Sequence, residues 1–384
     1  MQQSVRLAAL SLLALAGCAH EVPIPDLQGE GPAPGQRVSL TQQSSSLPGT
    51  TYKLVYRSQD ALDPHKLVLV SAKVLLPPGA PPAGGWPVLA WAHGTTGLAI
   101  TCAPSVQGIG VRQSEFYRTW LNHGFAVVAT DYPGMGQPGH DLYLNARSEG
   151  AAVLDGVRAA QSAIAGVGQD VVIDGHSQGA QAAIAAAGMA PDYAPTLHIR
   201  GTIAVAPPYF NDDSGRTLFG TGRTARQFSP NVVYGLMLGA SLGSADPSFD
   251  PQQAFRPRAL AFYRRAQEEC LGDFYGAVDH AGLTPANTFT PDAAQALAPA
   301  LAWGRYPTLH LTQPLLLAIG TADIQIAPAE QKRLGADLCA AGTSVALHTY
   351  PGQGHSGALE KSMPDALRFA HAALSGDVGA STCR

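Results

Sequence analysis

The sequence predicts an α/β protein: a mostly parallel sheet of eight strands, helices on both faces, and an inserted helical cap. Three observations predict it. From residue 51 to 207, short apolar runs alternate with longer helical stretches. Residues 208–313 carry no strand-like run, only helical patches among scattered Pro, Asp and aromatics. From residue 314 the alternation resumes.

The elements follow in order. Thr51–Ser58 and Lys66–Leu76 alternate like half-buried strands, with Asp63-Pro64 turning between them, and predict an antiparallel start. Pro87–Ala92, Phe125–Thr130, Val171–Asp174 and Gly201–Ala206 are nearly continuous apolar runs. Such runs fit parallel strands covered on both faces. Helices are predicted at 111–123, 144–166 and 178–189. Later come a strand at Pro314–Ile319, a helix at 328–341, a strand at Ser344–Tyr350 and a helix at 357–374. The middle stretch is too long for a loop, so it reads as a cap over 208–313, with helical patches near 231–242, 252–270 and 292–302. The core is then 51–207 and 314–384.

Residues 1–50 read as an export address. Arg6 precedes the apolar run Leu7–Ala16, too short to span a bilayer but suited to a signal peptide over 1–17. Ala14-Leu15-Ala16 offers an ordinary cut before Gly17. Leu15-Ala16-Gly17-Cys18 resembles the bacterial lipobox, which would make Cys18 a lipidated first residue. Of five cysteines, lipidation of Cys18 leaves Cys102, Cys270, Cys339 and Cys383, an even number suited to an oxidising compartment. Ala19, where an inner-membrane signal would carry Asp, implies an outer-membrane lipoprotein, with a secreted or periplasmic protein as the alternative. Residues 18–50, rich in Pro, Gly, Gln and Ser, read as a flexible tether.

Composition narrows the function. With 46% apolar and 14% charged residues, the 384-residue chain can bury a large core. A formal charge of −4 without a Lys/Arg run argues against nucleic acid as a partner. No H-E-x-x-H, C-x-x-C or Walker sequence occurs, so no metal and no cofactor are expected.

The motif that carries chemistry is Gly175-His176-Ser177-Gln178-Gly179, a G-x-S-x-G sequence. Gly239-Ala240-Ser241-Leu242-Gly243 also matches, so context must decide. Ser177 sits between the strand Val171–Asp174 and an Ala-rich helix, as a nucleophile elbow requires. Ser241 opens no helix, and its run reads as a loop or helix end in the cap. A serine hydroxyl needs a base, and the base an orienting carboxylate. Asp323 follows the strand ending at Ile319, and His355 follows the strand ending at Tyr350. Both fall in loops past the carboxyl ends of late strands and in the chain order Ser, Asp, His. An oxyanion would need two N–H groups. Gln178, after the nucleophile, supplies one, and the His93-Gly94-Thr95-Thr96-Gly97 loop supplies the other at Thr95 or, one residue on, at Thr96. His93 reads as a packing residue and Asp131–Gly136 as a structural turn. His176 points away from the chemistry, and Arg256, Arg258, Arg264 and Arg265 form a solvated cap face.

On these residues the chain resembles the α/β-hydrolase superfamily and, within it, the secretory lipase family of yeast lipase A type and its bacterial relatives. The likeness is carried by His93–Gly97, Asp131–Gly134, Gly175–Gly179, Gly320–Asp323 and Gly354-His355 over about residues 51–375, and is weakest in the cap. The resemblance implies hydrolysis of a small-molecule or lipid ester, no cofactor, and a cap that shapes the acyl site. It also suggests a bridge from Cys102 to Cys270, leaving Cys339 and Cys383 as the other pair; the sequence alone allows three pairings. Phe249, Phe255, Phe262, Phe274 and Tyr275 are candidates for an apolar acyl channel or, equally, for ordinary cap core. Alternatives to an ester hydrolase are a peptidase or acyltransferase using the same triad, and a non-catalytic ligand-binding surface lipoprotein.

Overall fold

The computed structural model describes residues 32–219 and 226–383. The expected signal peptide at 1–17 and the lipidation site Cys18 lie outside the described residues.

Nine strands form one sheet: β1 Arg37–Gln43, β2 Thr50–Gln59, β3 Leu67–Leu76, β4 Trp86–Ala92, β5 Ala126–Thr130, β6 Val167–His176, β7 His198–Val205, β8 Leu315–Gly320 and β9 Val345–Tyr350. Their order is β1-β2-β3-β5-β4-β6-β7-β8-β9. β1 to β3 pair antiparallel and join β5 antiparallel; every pairing from β5 through β4 to β9 is parallel.

Two expectations are corrected here. The sheet has one more strand than the predicted eight, and that strand lies inside the predicted tether of residues 18–50. Arg37–Gln43 pairs along β2, with Leu40 buried against the core. As an edge strand it meets water along most of its length, so its residues stay polar and the alternation that marks a strand is faint.

The sheet is covered on both faces. Along β6, Val171 and Ile173 face one core and Val172 the other, the period of two that a strand imposes. Helices α2 (Ala146–Ala163), α3 (Gln178–Tyr193) and α12 (Pro328–Ala340) contribute to the first core. Helices α1 (Val111–Asn122) and α13 (His355–Ser375) contribute to the second, through side chains such as Phe116, Trp120 and Phe369. In the structure α13 begins two residues before the expected 357, which puts His355 in its first turn.

The cap holds eight helices among its described residues: α4 Ser214–Phe219, α5 Pro230–Ala245, α6 Pro251–Ala254, α7 Leu260–Arg265, α8 Leu271–His280, α9 Pro285–Thr288, α10 Ala293–Ala296 and α11 Ala298–Trp303. It has a core of its own around α5, where Val232, Val233, Leu236 and Met237 meet Phe255, Phe274 and Phe289. The helix expected at 252–270 is broken instead. Pro257 denies it an N–H donor, and Phe255 runs extended to bridge Phe289. The second G-x-S-x-G run lies inside α5, not at a helix end. Its glycines let Phe255 and Tyr263 lie against the helix.

Both disulfides suggested by the family resemblance are present. Cys102–Cys270 joins the core to the cap, and Cys339–Cys383 joins α12 to the C-terminal tail. Among the described residues no helix is long and apolar enough to cross a membrane.

Candidate active site

Strand β6 ends at His176 and α3 begins at Gln178, so Ser177 alone makes the turn. Its φ of 58° and ψ of −122° are rare for a residue with a side chain. The turn is held from both sides. Ser177 N–H donates to Val205 O at 2.9 Å, and Ser177 O accepts from Ala180 N–H at 2.9 Å. Strand, helix and the neighbouring strand close tightly because the flanking positions lack side chains. A Cβ on Gly175 would lie 2.0 Å from Gly179 O, and one on Gly179 would lie 1.9 Å from Ala92 O. The hydroxyl therefore sits at the carboxyl end of the sheet, at the head of a helix whose first N–H groups have no partner within it.

Asp323 and His355 converge as the chain order implied. Asp323 Oδ2 accepts from His355 Nδ1 at 2.8 Å. Gln331 Nε2 donates to the same oxygen at 3.1 Å, while Oδ1 accepts the N–H groups of Gln325 at 2.8 Å and Ile326 at 3.0 Å. Burial would push the carboxyl up. The His355 hydrogen bond and charge, with the two backbone donors, outweigh it and hold Asp323 below the usual carboxylate range. Because the carboxylate accepts at Nδ1, the neutral imidazole carries its proton there and leaves Nε2 free as a base. His355 and Ser177 line one cavity; among the described residues no hydrogen bond joins them, a separation that substrate binding commonly closes.

The glycine loop after β4 forms the opposite wall. Leu271 N–H donates to Thr96 O at 2.8 Å, and Gly97, at φ 132°, pairs with Cys270. A Cβ on Gly97 would come within 2.8 Å of Cys102 Sγ, so the bridge to the cap demands glycine there. Thr95 Oγ1 shares a 2.8 Å hydrogen bond with Tyr143 OH. His93 is buried and neutral; burial lowers it to about 4, and its ring stacks on Tyr132. Tyr132 OH donates to His93 O. Asp131 accepts from Ser71 Oγ and Ser105 N–H and braces the neighbouring turn.

His176 differs from its expected place. Its ring centroid is 4.6 Å from that of His355, and its Nε2 donates to the His355 carbonyl at 3.1 Å. Burial and the adjacent His355 lower it to about 3, so it packs against that imidazole as a neutral ring.

Two cavities meet at Ser177. One, of about 150 Å³, runs under the cap between Tyr143, Tyr209, Phe210, Leu218 and Leu238. The other, of about 310 Å³, opens past Trp91, Phe116, His176 and His355. Thr95, Ser177, Tyr234 and Gln325 line both, and Tyr234 OH donates to Gln325 Oε1 at the divide. The five aromatics singled out from the sequence line neither. Phe255 and Phe274 are buried in the cap core, with Phe249, Phe262 and Tyr275 packed against it. That placement is set by tertiary neighbours, which composition does not encode.

The same architecture occurs in solved structures. Candida antarctica lipase A in its closed state aligns with a TM-score of 0.71 and 20% identity, over 91% of this chain and 84% of that one. The rice cell wall degrading esterase LipA from Xanthomonas oryzae, in a ligand-bound form, aligns with a TM-score of 0.72 and 17% identity, over 90% of this chain and all of that one. At these identities the likeness speaks for the fold. Among curated proteins none matches. The family model described as secretory lipase matches residues 109–209, from α1 through Ser177 to the first residues of the cap. The chain has the α/β-hydrolase fold and, over residues 109–209, resembles the secretory lipases. Sequence reasoning missed Tyr143, Glu149, Tyr234 and Gln325, which carry no motif and acquire a role only through their neighbours.

Proposed function

We propose that the chain is an exported serine ester hydrolase working through an acyl-enzyme. The observation that carries this reading is the 2.8 Å hydrogen bond from His355 Nδ1 to Asp323, in a cavity shared with a serine on a strained elbow. Ser177 Oγ attacks the ester carbonyl as His355 Nε2 takes its proton. Asp323 keeps the imidazole in the right tautomer and stabilises its cationic form. The N–H groups of Gln178 and Thr95 receive the oxyanion. His355 then protonates the leaving alcohol, and water, activated by the same imidazole, releases the acid.

The largely apolar cavity under the cap suits the acyl part, and the open cavity beside His355 suits the alcohol. An ester is favoured over a peptide because the described lining of the cap cavity is largely apolar, with Glu330 its one carboxyl group. The two disulfides support an oxidising compartment, and lipidation at Cys18 is the proposed anchor, by the lipobox likeness. The test is hydrolysis of p-nitrophenyl butyrate alongside an aminoacyl p-nitroanilide. Ester turnover that Ser177→Ala reduces to background is expected. Undiminished turnover in that variant, or faster cleavage of the amide, overturns the reading.

A further inference from the structure

The proposed oxyanion donors sit on two distant segments, the loop after β4 and the head of α3. Both are tied to one short stretch, residues 143–149, which leads into α2. Tyr143 OH bonds Thr95 Oγ1 at 2.8 Å. Gln178 Nε2 donates to Glu149 Oε1 at 2.7 Å. The same oxygen accepts Leu144 N–H at 2.9 Å, where the backbone stands at φ 59°. The cap holds the stretch in turn: Ser241 Oγ, in α5, accepts from Tyr143 N–H at 2.9 Å and donates to Asp141 O at 2.6 Å. The serine of the second G-x-S-x-G run is thus a brace.

We infer that Glu149 is the positioning residue of the oxyanion site, its buried oxygen fixing Gln178 against the Tyr143–Leu144 turn so that both donors keep one spacing. This rests on the ester-hydrolase reading above. Three facts carry it. Glu149 is 1% exposed, so its hydrogen bonds do not exchange freely with water. Gln178 is the first residue of α3, so its N–H has no helical acceptor and its peptide is held chiefly through its neighbours and its side chain. Ser177, next to it, is in a strained conformation that a loose peptide would relax. Glu149 touches no substrate; it acts through Gln178. Burial lifts its carboxyl well above the usual range, and a carboxamide of the same shape keeps an accepting oxygen where Gln178 and Leu144 donate.

The experiment measures p-nitrophenyl butyrate hydrolysis per active site, titrated with a fluorophosphonate, and inhibition by an alkyl boronic acid as an oxyanion mimic. Glu149→Ala is expected to lower kcat by about ten- to a hundredfold with KM nearly unchanged, and to weaken the boronate by a similar factor, on the scale known for a displaced oxyanion donor. Glu149→Gln, which keeps the accepting oxygen, is expected to stay within about threefold of the wild type on the same scale. A merely structural role would lower the number of titrated sites and leave kcat per site alone. If Glu149→Ala does not fold, Gln178→Met removes the donor from the other side and carries the same expectation. Unchanged kcat per site in Glu149→Ala or in Gln178→Met, or an equal loss in Glu149→Gln, overturns the inference while the wild type still turns over ester through Ser177. A wild type without Ser177-dependent turnover removes the earlier reading and this one with it.

Discussion

Asp174, three residues before Ser177, is a carboxyl buried inside the central strand, and its Oδ1 has no partner among the described residues. Burial lifts its pKa to about 8, against a weaker opposing pull from the Gly175 N–H. The sign of its effect on stability follows. Unfolded, such a group releases its proton near pH 4; folded, it keeps it to about 8. Between those values the native state binds the extra proton, so stability falls as pH rises, by about 1.4 kcal/mol per unit from this group alone. Asp174→Asn removes the term. Urea unfolding of the two proteins should show the variant gaining on the wild type from pH 5 to 8, then no further gain. A constant difference across that range would contradict the assignment. Asp323 works the other way: its depressed pKa stabilises the fold above the unfolded value, and that contribution fades as acid carries the pH down through the folded one.

The glycine loop after β4 illustrates how elements depend on one another. Its Thr96 carbonyl holds Leu271 at the start of α8, and the Cys102–Cys270 bridge fastens the same place across 168 residues of chain. Replacing both cysteines by serine should lower stability by about 2–5 kcal/mol, read as a shift in the denaturant midpoint. A midpoint within error of the wild type would refute that dependence. Element by element, the sequence was most informative where one physical demand dominates. The strands β4 to β8 are apolar because both faces are covered, and Ser177 and Asp323 stand out because each follows such a strand at its carboxyl end, while His355 follows the partly exposed β9. β1 was lost because its burial is partial. The short cap helices α6, α7 and α9 to α11 have four to six residues, too few for a helical period to register. Glu149 and Tyr234 were illegible for a different reason: nothing local distinguishes them from residues of an ordinary α2 turn or cap helix, and only the tertiary neighbours Gln178 and Gln325 give them work.

At the scale of the whole molecule, a core sheet and a cap with separate hydrophobic interiors meet over Ser177, and two cavities between them open at the serine. Where the molecule resides follows from Cys18 in our reading. Esterase activity should fractionate with membranes, and Cys18→Ser should move it to the soluble fraction. Activity that is soluble in both forms would rule out the anchor.

The far border of the sheet carries one more implication. Thr382 N–H donates to Val345 O at 2.7 Å and Thr382 Oγ1 accepts Leu347 N–H at 3.0 Å, while Cys339–Cys383 clasps the tail where it lies. Along Val345–Leu347 the outermost strand is already spoken for, so a second molecule has no bare ladder there on which to grow. A reductant that frees the tail would bare it, and self-association through that rim would then begin in a folded, still globular protein.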